Sequence, residues 1–316
     1  MLDKDLNFGN KNFVHDELKD INTVRSDFYG GMDNTSMYWQ IPSIQAFHSI
    51  VPGSVMDFYE KIGVGRYVKS MPGTDFYGIR SLLSVKYLFD YDSDSYDLTS
   101  EDMPGWKLLK QDHHYFIFEN ENYIPYGFTY DEYITEKEFK VYIEEEDMHL
   151  MLLKTIILTD EQAKKHGDIL DHKTNLENYT YPKNEFESDC ANRRKHVCSD
   201  LRFENNRISA KFTAGNKDEL VFFSIPYEAG WTAEVNGSPA EIEKVNIGFM
   251  AVRVPADKTS EIIFRYQTPG LTSGAVVTAA GITIEIAYVV LNRVTKRKRN
   301  SADNSTDKQN KKTQKK

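Results

Sequence analysis

The chain has 316 residues, of which 40% are hydrophobic and 13% aromatic, and its 48 acidic and 39 basic side chains give a formal net charge of −9. Disordered chains lack this share of aromatic residues, and two cysteines are too few for a disulfide-rich secreted scaffold. The length suits about two domains of roughly 100–200 residues each, and the negative charge argues against nucleic acid as a partner.

Charge is distributed unevenly along the chain. Ten basic and two acidic residues lie from Arg293 to Lys316, so this tail carries a charge of +8 and the preceding 292 residues carry −17. An acidic body is therefore joined to a strongly basic end.

A weakly charged stretch from Leu271 to Leu291 separates these two parts and contains one charged residue, Glu285. As a helix, these 21 residues extend about 30 Å, the thickness of a bilayer's hydrocarbon core. Basic residues follow at once, which is typical of a last span with a cytoplasmic end. We predict a transmembrane helix over residues 269–292 and a disordered, basic cytoplasmic tail over 293–316. The alternative is a buried helix of a soluble domain, because Glu285 would cost about 2.5–3.5 kcal/mol on insertion.

The predicted span places the acidic body outside the cytoplasm, and Glu285 is then expected to face another helix rather than lipid. The first twenty residues contain neither the charged n-region nor the apolar segment of a signal peptide. We therefore expect the chain to be the C-terminal piece of a larger multi-span protein.

Residues 1–185 are predicted to form an α+β extracytoplasmic region. Ser54 followed by Asp57 is a weak capping-box-like start for a helix that ends at Gly63. A second helix over residues 75–83 is predicted to lead into a strand from Val85.

Further along, the extended segments 113–120 and 126–130 are predicted to be joined by a turn near Asn120. Thr135 and Thr159, each followed three residues later by Glu or Gln, are predicted to open two more helices.

Beyond Tyr181 the hydrophobic period changes to that of strands. Several apolar or alternating segments of about 5–7 residues follow, and Asn236-Gly237 is the strongest hairpin signal in the chain. We predict a jelly-roll-like β-sandwich domain over residues 186–268.

Cys190 and Cys198 enclose a short polar segment. In an extracytoplasmic domain such a pair can form a disulfide, which would contribute about 2–3 kcal/mol. A zinc site needs about four ligands, and only His196 lies nearby. We favour the disulfide; two free thiols are the alternative, and a metal site is the least favoured.

Other clusters of polar residues carry weaker signals. His113 and His114 are adjacent in a predicted strand and would point to opposite faces, which disfavours a metal pair. The acidic run over residues 144–147 lacks the alternating oxygen ligands and glycine of a calcium loop and is predicted to be a solvated break. The sequence contains no Gly-rich phosphate loop, GxSxG or HExxH motif, so it assigns no catalytic residue, metal or cofactor to this chain.

Tyr227, Trp231 and Asn236 lie on or beside one predicted hairpin and form a candidate sugar-binding site. An aromatic face can stack on a pyranose ring, and an amide can bond its hydroxyl groups. The alternative is that Trp231 is a core residue of the sandwich.

Several segments together resemble the C-terminal part of the bacterial YfhO family of multi-pass membrane proteins. They are MYWQIPSIQAFHSIV (37–51), IRSLLSVKYLF (79–89), ENENYIPYGFTYDEYI (119–134) and the long stretch from LVFFSIPY to AVRVPA (220–256). The order FFSIPY, GW, VNG, GFMAV and FRYQTPG, running directly into the final span, is the most specific part, and the resemblance covers about residues 7–294.

YfhO-like proteins are similar to GT-C-type glycosyltransferases. The resemblance implies transfer of a sugar from undecaprenyl phosphate to a cell-surface polymer such as lipoteichoic acid, outside the membrane. GT-C enzymes keep their catalytic carboxylate in an outward loop between early spans, which this sequence does not include. No catalytic residue is therefore carried over, the isolated chain is expected to be inactive, and any divalent metal would belong to the intact enzyme.

The implied partners are the membrane, an upstream transmembrane part of the same protein, and a glycopolymer or lipid-linked sugar. Because the body is acidic, a polyanionic polymer would have to be held by local basic groups such as Arg193, Arg194 and Lys195. The competing hypothesis is a non-catalytic, membrane-anchored carbohydrate-binding or scaffold protein.

Overall fold

A computed structural model describes residues 11–45, 51–65, 72–91, 103–112 and 114–313. The chain up to Tyr266 forms one compact unit, and Gln267 begins a second. The first unit is a mixed α/β region joined to a sandwich-like pair of sheets, and the second contains one long helix, so the predicted fold class is confirmed.

A four-stranded sheet lies at the start of the described chain, with strand order β1-β2-β4-β3. Strands β1 and β2 are parallel, and the other pairs are antiparallel. Short helices accompany this sheet, most of them in the long connection between β1 and β2. The elements are α1 (Lys11–Glu17), β1 (Arg25–Tyr29), α2 (Thr35–Trp39), α3 (Gly53–Lys61), α4 (Tyr77–Leu82), β2 (Val85–Tyr91), β3 (Trp106–Asp112) and β4 (Tyr115–Asn120).

The middle of the chain alternates short strands and helices around a parallel sheet of order β7-β6-β8. Both predicted capping boxes are present, since Thr135 and Thr159 each accept a bond from the backbone N–H three residues later. The elements are β5 (Phe128–Thr129), β6 (Glu132–Thr135), α5 (Glu136–Tyr142), α6 (Glu145–Lys154), β7 (Ile156–Leu158), α7 (Asp160–His166), β8 (Asp171–His172) and α8 (Phe186–Lys195).

Two mostly antiparallel sheets complete the first unit, one of order β13-β12-β16-β10-β9 and one of order β14-β15-β11-β5. The predicted hairpin at Asn236-Gly237 is confirmed, with φ of 54° and 77° at the two turn residues. The strands are β9 (Ser199–Glu204), β10 (Arg207–Thr213), β11 (Glu219–Pro226), β12 (Trp231–Val235), β13 (Ser238–Ala240), β14 (Glu243–Val245), β15 (Phe249–Val254) and β16 (Thr259–Tyr266).

The sheet containing β11 is buried on both faces. Leu220 and Phe222 face the α/β region, in a cluster that we call the first core. Val221 and Phe223 face the other sheet, in a cluster that we call the second core. Because neighbouring strand residues point to opposite faces, this double burial explains the unbroken apolar run in β11. Strand β5 of the same sheet comes from residues 128–129, so the predicted boundary at 185/186 lies within one compact unit.

A buried ion pair lies where β1 meets α4. Arg80 Nε donates to Asp27 Oδ2 at 2.8 Å, and both side chains are fully buried. The other Arg80 nitrogens donate to Tyr29 Oη and to the carbonyls of Pro72 and Gly73. The Arg80 guanidinium therefore has its counter-charge and its hydrogen-bond acceptors within the fold, and we assign the ion pair a structural role.

The predicted turn near Asn120 is confirmed: Tyr123 N donates to the Asn120 carbonyl, and β4 and β5 lie on either side of the turn, in different sheets. Two local predictions are wrong. Helix α3 begins after Pro52 without a side-chain cap. The acidic run over 144–147 is not a break but the N-terminus of α6, where carboxylates interact favourably with the helix dipole. His113, half of the weak histidine pair, lies outside the described residues.

The second unit contains α9 (Leu271–Thr313). Its segment Leu271–Lys298 has a mean hydropathy of 1.9 in its most apolar window and is the only candidate span within the described part of the chain. The described backbone of α9 is helical to Thr313. Neither proline nor glycine follows Gly281 in α9 to end the helix, and lysine, arginine and glutamine are good helix formers.

Candidate functional site

An aromatic groove of about 450 Å³ lies at one end of the sandwich. We call it the tryptophan groove. It is lined by the ends of β11, β12 and β16 and by the segment that leads into α3, namely Val51, Pro52, Gly53, Ile225, Pro226, Glu228, Trp231 and Tyr266.

Trp231 forms the central wall of this groove. It pairs with Tyr266 across β12 and β16, and their ring centroids lie 5.1 Å apart at 60°. Its other side packs against Phe264, with ring centroids 6.4 Å apart, which joins it to the second core. Trp231 is half-buried, so it is both a packing residue and part of the groove wall.

Glu228 supplies a carboxylate at the rim. Its backbone carbonyl accepts a bond from Trp231 N at 3.1 Å, which fixes the turn between β11 and β12. Among the residues that the structure describes, no partner is found for this carboxylate. An aromatic wall beside a free acceptor is an arrangement that can hold a pyranose ring by stacking and by hydroxyl bonds.

The three residues predicted to bind sugar are not brought together. Tyr227 does not line the groove; it packs against the second core, and its backbone N–H donates to Gly248. Asn236 lies at the opposite end of β12 from Trp231, where its amide bonds Ser260 Oγ and Glu261 N, both at 3.0 Å. The amide therefore holds the hairpin on β16, and of the three residues only Trp231 lines the groove.

Tyr266 and Glu228 were missed in the sequence. Tyr266 reaches Trp231 only through the register of β12 on β16, whereas Glu228 lies three residues before Trp231 in the turn after β11. The pairing of Trp231 with Tyr266, 35 residues further along the chain, cannot be predicted from the pattern of either segment alone.

The cysteines are free thiols in the structure, which corrects the disulfide prediction. Cys190 lies on α8 rather than in a polar loop and packs in the first core, whereas Cys198 packs against the second core. The two side chains thus belong to different clusters. Burial is the main cause that raises the pKa of each thiol to about 12.

The basic run at the end of α8 is mostly engaged within the fold. Arg193 is buried; it donates to the Thr129 carbonyl at 2.5 Å and lies over the Tyr130 ring. Arg194 donates to the Glu121 carbonyl at 2.6 Å. These two side chains tie α8 to the neighbouring loops.

Metal binding finds no support in the described ranges, which contain no group of three histidine, cysteine, aspartate or glutamate side chains placed to hold an ion.

Comparison with known proteins decides the family. The profile described as "Bacterial membrane protein YfhO" matches residues 18–198 and 173–278, which together cover most of the chain. The chain belongs to the YfhO family. It is also similar to "Uncharacterized protein YfhO" of Bacillus subtilis (strain 168), at 25% identity over 89 residues. That alignment covers 28% of this chain and 10% of the relative. No solved structure matches.

For a YfhO-family membrane protein, α9 is the element suited to membrane association, because its segment over 271–298 is long and apolar enough to cross a bilayer. The predicted membrane association therefore agrees with both the family and the fold.

Proposed function

We propose that this chain is the extracytoplasmic C-terminal portion of a YfhO-like glycosyltransferase, which transfers a sugar from undecaprenyl phosphate to a cell-surface polymer such as lipoteichoic acid. The supporting observation is the tryptophan groove, in which Trp231, Tyr266 and Glu228 provide stacking surfaces and an acceptor. In this proposal the groove holds a sugar unit of the lipid-linked donor or of the polymer, and catalysis belongs to the membrane part of the full protein, where any divalent metal would also bind.

The position of the groove along the chain supports this role. Leu271, the first residue of α9, follows Tyr266 by five residues, so at most about 17 Å of extended chain joins them. The groove residue Tyr266 is thus a near neighbour of the candidate span in sequence, which suits a ligand carried by a membrane lipid.

The proposed orientation of the chain rests on charge. Basic residues crowd the end of the candidate span, at Arg293 and over 296–299, and this pattern supports a cytoplasmic tail and an acidic body outside the cytoplasm. Glu285, inside the span, is proposed to face a helix from the membrane part of the same protein, because a charge facing lipid is costly.

Binding by the full chain in detergent tests the role of the groove. We expect Trp231→Ala to weaken binding of lipoteichoic acid or of undecaprenyl-phosphate-linked sugar by about tenfold or more, and Trp231→Phe to retain most of it. Testing the two ligands separately shows which of them the groove holds. Phe203→Ala is the matched control, because Phe203 is an exposed aromatic residue on β9 outside the groove. Unchanged binding of both ligands by a folded Trp231→Ala protein would contradict the proposal.

Labelling of intact cells tests the orientation. In a variant lacking the native cysteines, Ser199→Cys in the exposed part of β9 is expected to react with a membrane-impermeant maleimide. Ser305→Cys in the tail is expected to react only after permeabilisation. The reverse pattern would invert the proposed topology.

A non-catalytic, membrane-anchored carbohydrate-binding protein is the second candidate, favoured by the same groove. The two are separated by enzymatic and cellular readouts. For the first candidate, the isolated chain gives no transfer from a lipid-linked sugar, and Trp231→Ala lowers polymer glycosylation in cells. For the second, glycosylation is unchanged while polymer binding is lost.

A further inference from the structure

A second cavity, of about 460 Å³, lies at the opposite end of the sandwich from the tryptophan groove. It is enclosed by the β12–β13 hairpin, strand β14, the end of β15 and the end of α7. We call it the ion-pair pocket. The charged residues that line it are Lys165, Asp218, Glu241, Glu243, Arg253 and Lys258.

These six residues balance in charge, and all three carboxylates lie beside a cation. Lys165 Nζ lies 2.6 Å from Glu241 Oε2 and 2.5 Å from Glu243 Oε1. Arg253 Nε donates to Asp218 Oδ2 at 3.0 Å, and its other nitrogens bind Asp168. The pocket therefore offers charges of both signs without a net excess of either.

The wall around Glu243 is rigid. Its buried carboxylate accepts bonds from Gln162 Nε2 and His166 Nε2, both at 3.0 Å, in addition to Lys165. The bond from His166 is the main cause that lowers the pKa of Glu243 to about 2. Glu243 therefore stays ionised, accepts bonds from three donors, and holds Lys165 at the pocket wall.

Other parts of the lining remain available to a ligand. For Lys258 Nζ and Ser238 Oγ, no partner is found within the described residues, and both side chains are exposed. Apolar strips run between the polar groups, formed by Val235, Pro239, Ala240, Val254 and Pro255.

We infer that the ion-pair pocket binds a neutral, hydroxyl-rich ligand, namely a saccharide unit. Hydroxyl groups donate to carboxylates and accept from ammonium groups, so such a ligand can pair with both signs of charge at once. The C–H faces of a sugar ring can cover the apolar strips. Each carboxylate already lies beside Lys165 or Arg253, so a phosphate would have to displace the carboxylates from these cations, and a metal ion would have to displace the cations from the carboxylates. This inference concerns a different cavity from the tryptophan groove and does not rest on the proposed function.

Ligand-observed NMR on the full chain in detergent tests whether the ion-pair pocket binds a saccharide. The neutral probes are methyl glycosides of glucose, galactose and N-acetylglucosamine, and the charged probes are inorganic phosphate and Ca²⁺. We expect at least one glycoside to bind at millimolar concentration and neither charged probe to bind. Ser238→Trp fills the pocket and is expected to weaken glycoside binding about tenfold or more, and Lys258→Ala is expected to weaken it without filling the pocket.

Ser199→Trp is the matched control, because Ser199 is an exposed serine on β9, the other edge strand of the same sheet. It is expected to leave binding unchanged. All pocket variants are compared in a Trp231→Ala background, so that a glycoside held in the tryptophan groove does not contribute to the signal. The inference is overturned if no glycoside binds, if phosphate or Ca²⁺ binds in the pocket instead, or if both pocket variants, shown by circular dichroism to be folded, bind as the wild type does.

Discussion

The first and second cores share one sheet but are built differently. Beside the first core lie buried polar side chains that bind backbone groups: Asp147 accepts from Tyr181 N at 2.7 Å, and Asn246 Oδ1 accepts from Ile157 N at 2.7 Å. The second core consists of apolar side chains from the strands that enclose it.

The difference follows from the elements around each core. Strands in a sandwich satisfy their backbone groups through the ladders, so the second core needs only apolar packing. The first core is enclosed by short helices and loops whose ends leave backbone groups without partners, and buried side chains must supply them. A buried polar residue near the first core is therefore expected to hold a loop in place through hydrogen bonds. An apolar residue in either core is expected to stabilise the fold by filling space.

The largest expected effect of a polar change is at the buried ion pair. Asp27→Asn leaves the Arg80 guanidinium buried without its counter-charge, so we expect a loss of about 3–5 kcal/mol in the free energy of unfolding. Urea unfolding of the full chain in detergent measures it. Asp20→Asn is the control, because its pair with Lys86 is partly exposed and should be worth about 1 kcal/mol or less. Equal losses in the free energy of unfolding for the two variants would contradict the expected difference between a buried and a partly exposed ion pair.

Neighbouring phenylalanines on β11 allow the two cores to be weakened separately. Phe222→Ala removes volume from the first core and Phe223→Ala from the second, and each is expected to cost about 3–5 kcal/mol. The sharper readout is local: Phe222→Ala should speed thiol labelling of Cys190, and Phe223→Ala that of Cys198. If either variant speeds the labelling of both thiols equally, the two cores unfold together as one cooperative unit.

A smaller effect is expected at Asn246, which has a positive φ of 46° and bonds Ile157 N and Tyr130 Oη. Asn246→Gly keeps the backbone conformation accessible and removes both side-chain bonds, so we expect a loss of about 1–3 kcal/mol. Asn192→Ala on the exposed face of α8 is the control and should change stability by about 0.5 kcal/mol or less. No loss in the glycine variant would show that this loop does not need its side-chain bonds.

The native thiols are expected to report on both regions without any cost in stability. Because burial raises the pKa of Cys190 and Cys198 to about 12, both should react with maleimide at pH 8 far more slowly than an ordinary cysteine. In urea without reductant both should react fully. Protection in urea that reductant removes would instead establish the disulfide.

Local chemistry could be predicted from the sequence, and long-range pairing could not. The capping boxes at Thr135 and Thr159 and the turn at Asn236-Gly237 are complete within four residues, so their patterns sufficed. The partner of β5 was missed because Phe128 pairs with Phe222, far along the chain. The candidate site divides in the same way: Trp231 was identified from its residue type, whereas its pairing with Tyr266 depends on the register of β12 on β16.

The doubly buried sheet also constrains the order of events during synthesis. Strand β5 cannot pair until β11 has been synthesised. The first core stays open on one side until β15 has been synthesised, because Phe249 and Ala251 of β15 close it. Closing the long loops between such contacts costs conformational entropy before the contacts can stabilise the fold, and this cost slows folding. The α/β region is therefore expected to remain an unfinished, protease-sensitive intermediate for most of translation and to reach its native state only when nearly the whole body has emerged.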